Sequence, residues 1–192
     1  MAHGRDCGRA GRGGSLTVFG ECGLPGVYAI EPERHVDERG WFARMYYRPD
    51  FAEHGIDFTP VQVSVSSNAR RGTLRGLHFQ ADPAPEAKLV TCTRGSAFDV
   101  AVDLRADSPA YGRWTSVELT AESGRAVYVP PGCAHGFQTL EDETELLYLI
   151  SELYDAALQR GVRWDDPGVA VEWPEEPTVL SERDRSFPDY AW

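Results

Sequence analysis

From Gly26 onward, apolar segments of strand length alternate with turn formers so regularly that no long helix fits between them. Arg94-Gly95, Asp107-Ser108-Pro109, Glu122-Ser123-Gly124 and Pro130-Pro131-Gly132 punctuate the chain. Glycine reaches positive φ without a Cβ penalty and proline fixes its own φ, so each group favours a turn. Between the turns, residues 26–30, 61–66, 87–94, 97–104, 114–119, 126–129, 136–140 and 145–153 alternate or run apolar. The run Phe98-Asp99-Val100-Ala101-Val102-Asp103 carries the two-residue period of a strand most clearly. Residues 49–55, with Phe51 and Ala52 inward, read as a short helix. Many short strands and few helices predict an all-β sandwich or barrel.

The 192 residues suffice for one domain with a sizeable core. No apolar run approaches the length that crosses a bilayer. A formal charge of −11 argues against nucleic acid or an anionic membrane as partner, since both would repel the molecule. A local basic pocket can still hold a phosphate. The four cysteines, Cys7, Cys22, Cys92 and Cys133, lie far apart and form no CxxC pair. They are expected to be reduced, which favours a cytoplasmic setting. Residues 1–23 are read as a flexible Gly- and Arg-rich head, whose apolar stretch at 16–19 is too short for a secretory signal. Residues 24–192 are expected to form one domain.

Two histidines stand in strand-and-turn contexts. His78 lies in Arg75-Gly76-Leu77-His78-Phe79-Gln80, and His135 follows Pro130-Pro131-Gly132-Cys133-Ala134. Both positions resemble the two histidine motifs of cupins. Two residues beyond His78, however, stands Gln80, and Glu86 sits in a proline-rich stretch off the expected ligand spacing. Two imidazoles without a carboxylate fall short of the three protein ligands of a catalytic metal site, so no metal is expected. A lone strand histidine is most simply a hydrogen-bonded barrel residue. Here Arg75, Gln80 and Lys88 surround it in sequence, and residues two apart share a strand face. A histidine beside cations and amides suits a polar, anionic ligand.

A wider set of motifs carries a family resemblance: Asp37-Glu38-Arg39-Gly40, residues 71–80, Lys88-Leu89-Val90, residues 98–103, residues 131–137 and Leu180-Ser181-Glu182-Arg183-Asp184. In this order they resemble the dTDP-4-dehydrorhamnose 3,5-epimerase family over about residues 26–188. Six motifs in register are far more specific than any one. The resemblance implies a cupin-type double-stranded β-helix and a cofactor-free enzyme that epimerises a nucleotide-linked 4-keto-6-deoxy sugar. It implies His78 as base, Asp184 as the carboxylate that orients it, Lys88 as the cation holding the enolate oxygen and Tyr148 as the opposite-face acid. It further implies that Arg39, Phe42, Gln62, Arg75 and His135 contact the substrate, and Gln80 is expected to join them. A homodimer is implied too, with the segment around Arg39 and Phe42 reaching the neighbouring subunit's site.

Two departures touch the nucleotide end. Arg44 stands where the resemblance implies a glutamate for thymine, and Val63-Ser64-Val65 follows Gln62 where Asp-Asn-His is implied. They leave open the nucleobase; inversion at one carbon rather than two is open for another reason, since it turns on how long the intermediate stays bound and whether the ring flips. A metal-dependent cupin and a catalytically silent sugar-binding barrel are the competing classes. Taken alone, Tyr148 reads as a core aromatic, Lys88 as a solvated strand residue and Asp184 as a turn cap.

Overall fold

The computed structural model describes residues 17–191, which build two facing sheets. Fourteen strands and two short helices are described, in the order β1 (Val18–Glu21), β2 (Tyr28–Glu31), β3 (Arg34–Asp37), β4 (Gly40–Ala43), α1 (Arg48–Glu53), β5 (Gln62–Asn68), β6 (Thr73–Gln80), β7 (Lys88–Arg94), β8 (Ser96–Asp103), β9 (Trp114–Thr120), β10 (Ala126–Val129), β11 (Cys133–Thr139), β12 (Thr144–Ile150), β13 (Gln159–Gly161), β14 (Val179–Leu180) and α2 (Glu182–Arg185). The first sheet runs β1-β2-β10-β7-β12-β5 and the second β13-β6-β11-β8-β9, with β14 added parallel to β6. The hairpin β3-β4 belongs to neither sheet. The fold is all-β, as the spacing of strands and turns predicts, and cupin-like, as the resemblance implies. None of the described helices is long and apolar enough to cross a membrane.

Side chains from both sheets interdigitate between them: Val90, Ala101, Leu119, Val127, Phe137 and Leu146 form one core. The outer faces are covered as well. Phe51 of α1 and Phe58 pack with Phe19, Ile30 and Leu89 on the first sheet. Val162 and Val169 pack with Leu77, Val100 and Val102 on the second. Strands buried on both faces carry unbroken apolar runs, which explains why residues 126–129 do not alternate.

Two boundaries differ from the sequence reading. Val18–Glu21, assigned to a flexible head, pairs with β2 over Tyr28–Glu31, and Cys22 is buried in the core. Four residues too short to show a period gain their order from pairing with the next strand. Residues 1–16, with Cys7, lie outside the described residues. The helix read at 49–55 forms at Arg48–Glu53, with a proline in its first turn and Gly55 at φ +73° after its end.

Candidate active site

The strand carrying His78 departs from regular pleating. Along the β6–β11 pair, His135 faces His78 and Phe137 faces Arg75, so three steps on β6 match two on β11. The extra residue is a β-bulge, and it turns both Arg75 and His78 toward one cavity. Gly76 makes it possible: its φ is +130°, and a Cβ there would lie 2.6 Å from the Gly136 Cα.

That cavity has a volume of about 770 Å³ and opens between the sheets. Gln62, Arg75, His78, Lys88, His135, Tyr148 and Asp184 all line it. Residues separated by more than a hundred positions thus share one wall.

His78 Nε2 lies 2.6 Å from Asp184 Oδ1, which leaves the other ring nitrogen for the cavity. Ser181 caps α2, its hydroxyl accepting from the Asp184 amide at 3.0 Å, and so fixes the carboxylate. The Gly76 amide donates to Asp184 Oδ2 at 3.3 Å. Burial pushes the Asp184 carboxyl up, but the hydrogen bond and charge of His78 and the Gly76 amide outweigh it, and the net shift is downward. Asp184 therefore stays an acceptor for the imidazole. Its place in the capped turn and its contact with His78 are one arrangement.

Lys88 is buried rather than solvated. Its Nζ lies 2.8 Å from Glu86 Oε1 and donates to the His78 carbonyl at 3.3 Å. His135 carries a second carboxylate: its Nε2 sits 2.8 and 3.0 Å from the two oxygens of buried Asp99. Burial pushes the Asp99 carboxyl up against the opposing pull of His135 and Lys88. The Tyr148 ring meets His135 edge-on at 6.0 Å. Burial, helped by the charge of Asp99, holds its phenol well above the ordinary range, so it remains a proton donor. Arg75 Nε donates to Asn68 Oδ1 at 2.8 Å, which fixes its guanidinium on the cavity wall.

Three expected substrate contacts lie elsewhere in the structure. Gln80 does not line the cavity: its amide donates to the carbonyls of Ala84 and Leu153 at 2.7 and 3.1 Å, and its carbonyl accepts from the Asp155 amide at 2.9 Å. A buried amide with both N–H groups and its carbonyl engaged by backbone partners clamps two loops and faces away from the cavity. Two-residue spacing put it beside His78, but it closes the strand end. Arg39 and Phe42 sit on the β3–β4 hairpin away from the cavity; Arg39 pairs with Asp37, and Phe42 is 68% exposed. Conversely, Glu86, Asp99 and Arg183 belong to the site or its immediate support without having been singled out. The signal available for Asp99 was an acid inside an apolar strand, where only a partner makes burial tolerable.

Among the described residues, no group of three His, Cys, Asp or Glu side chains is arranged to hold a metal.

Comparison with known proteins decides the family. The profile described as dTDP-4-dehydrorhamnose 3,5-epimerase matches residues 21–191. The chain belongs to the dTDP-4-dehydrorhamnose 3,5-epimerase family. A family member from Sinorhizobium fredii, a dTDP-4-dehydrorhamnose 3,5-epimerase, is 44% identical over 88% of each chain. The Streptomyces niveus dTDP-4-dehydrorhamnose 3-epimerase is also 44% identical, over 85% of this chain and 79% of its own. Among solved structures, the Bacillus anthracis dTDP-4-dehydrorhamnose 3,5-epimerase with TDP and pyrophosphate bound superposes with a TM-score of 0.85. It is 39% identical, over 88% of this chain and 96% of its own.

Proposed function

We propose that this protein is an epimerase that inverts carbon 3, carbon 5 or both of a nucleotide-linked 4-keto-6-deoxyhexose, with dTDP-4-keto-6-deoxyglucose as the expected substrate and dTDP-4-keto-rhamnose as the product of double inversion. The observation that carries this reading is the His78–Asp184 pair opening into a cavity that also holds Lys88 and Tyr148. The ketone at carbon 4 acidifies the hydrogen on each neighbouring carbon. His78 takes one of these through the nitrogen not engaged by Asp184, and the carboxylate stabilises the imidazolium that forms. The enolate oxygen is held by the Lys88 ammonium, a fixed charge in a water-poor wall. Tyr148 returns a proton to the opposite face. Each inversion moves one proton from carbon to His78 and one from Tyr148 to carbon, and solvent restores both groups. One solvent hydrogen is therefore left at every inverted carbon.

Gln62, Arg75 and His135 are the proposed sugar and phosphate contacts within the protomer. Arg39 and Phe42 would act from a second copy. This homodimer is supported by an exposed apolar surface: Val63 and Val65 of edge strand β5 are 65% and 57% exposed, close in kind to Phe42 and Trp41 on the hairpin. A reducing, cytoplasmic setting suits the three free, buried cysteines among the described residues. The similarity to a 3-epimerase favours counting the inverted carbons directly. Incubation in deuterated water with NMR of the sugar does so: an inverted carbon carries deuterium in the opposite configuration, and no deuterium at either carbon contradicts the proposal.

A further inference from the structure

Three carboxylates pair with three basic side chains of the cavity wall. Asp184 holds His78, Asp99 holds His135 and Glu86 holds Lys88. The third pair is the one the sequence left as a proline-rich loop and a solvated strand residue. Both partners are buried, with side-chain exposures of 7% for Glu86 and 9% for Lys88, and both line the cavity.

The loop leading to Glu86 is built to hold it still. Gln80 ties down the Ala84 carbonyl, and the Ala81 amide donates to the Leu158 carbonyl at 3.0 Å. Immediately after Glu86, the Ala87 amide donates to the Ser151 hydroxyl at 2.8 Å, while the Ser151 amide donates to the Ala87 carbonyl at 3.0 Å. Glu86 thus projects from a backbone fixed on both sides.

A lysine ammonium has three hydrogens in tetrahedral array. Glu86 takes one and the His78 carbonyl another. Two fixed directions determine the third, which is left for the cavity. A buried ammonium without a counter-charge is costly, and an unanchored lysine stem has many rotamers. Glu86 answers both problems at once.

We propose that Glu86 is a positioning residue for the reaction: it compensates the buried charge of Lys88 and aims its remaining N–H at the site of the enolate oxygen. The inference rests on the proposed epimerase reading and deepens it. Glu86 does not touch the reacting atoms; it acts through Lys88 alone. It also binds the lysine to the base, since the same ammonium reaches the His78 carbonyl. Base and oxyanion holder then keep a constant separation.

A double-mutant cycle tests this, read as kcat and KM for inversion of dTDP-4-keto-6-deoxyglucose. Glu86→Ala is expected to lower kcat about a hundredfold, the scale of one lost or misaimed oxyanion donor, with KM changed less than about threefold. Glu86→Gln, which keeps an acceptor oxygen in place, should recover kcat to within about tenfold of the parent. In a Lys88→Ala background, Glu86→Ala should cost nothing further, because the group it positions is gone. Glu86→Asp guards against a truncation that does not fold. With the charge kept and the reach one methylene shorter, kcat should fall about tenfold at unchanged KM. Equal losses in both backgrounds, or a change in KM alone, would overturn the inference and make Glu86 a loop anchor. Full turnover in Lys88→Ala would instead overturn the oxyanion role beneath it, and the inference with it. Absence of turnover in the parent protein would overturn the epimerase reading itself.

Discussion

At the scale of single residues, the site is a set of acid–base pairs whose members come from distant parts of the chain. Asp184 is the clearest case for titration. Its native pKa is depressed, so it contributes stability above the unfolded value of about 3.9, and that contribution is lost as pH falls through the lower native value. Urea unfolding between about pH 5 and about pH 2 should therefore show a flatter acid-side decline for Asp184→Asn than for the parent. The same substitution should lower kcat by about 10²–10⁴-fold, the usual worth of a positioned base, since the imidazole loses its anionic partner. Tyr148→Phe separates two steps: solvent exchange of the substrate hydrogen should persist through His78, while inversion falls about a hundredfold or more. Equal loss of exchange and inversion would make Tyr148 a packing residue. That His78, Lys88 and Asp184 share a cavity wall was foreshadowed by the motifs that hold them, and the place of Tyr148 by the resemblance along its strand. Glu86 was not, because its meaning lies in a 2.8 Å contact and in burial, neither of which a proline-rich stretch announces. Gln80 was misread for the complementary reason: strand parity gives a direction, but the amide is consumed by loops that sequence spacing does not bring near it.

At the scale of elements, the strands of residues 88–150 were largely legible from alternation and turn formers, because those signals are local. The bulge in β6 was not. It depends on how Gly76 meets Gly136 across the sheet, and it is what allows Arg75 and His78, three residues apart, to face the same cavity. Gly76→Ala would set a Cβ 2.6 Å from the Gly136 Cα at a φ of +130°. A destabilisation of about 2–5 kcal/mol is expected from overpacking and backbone strain together, read as a lower urea midpoint at unchanged slope. An unchanged midpoint would show that the bulge does not need glycine. Strand β1 was missed because four residues gain their order only from pairing with β2.

At the scale of the whole molecule, the described chain gathers His78, Lys88, Tyr148 and Asp184 on one cavity wall but leaves Arg39 and Phe42 outside the cavity. The exposed valines of β5 offer the surface on which a second copy would bring that hairpin into reach. Val63→Lys should shift the protein from dimer to monomer in sedimentation and raise KM, while Phe42→Ala should raise KM about tenfold or more through lost stacking on the base. A monomeric parent protein with full activity would refute this arrangement.

The central claim is that His78 removes a hydrogen beside the ketone. Incubation with dTDP-4-keto-6-deoxyglucose in deuterated water, followed by mass spectrometry and NMR of the sugar, tests it most directly. Deuterium is expected at carbon 3, carbon 5 or both, with incorporation in His78→Ala reduced about 10²–10⁴-fold. No incorporation with the parent protein, or equal incorporation in His78→Ala, would contradict it.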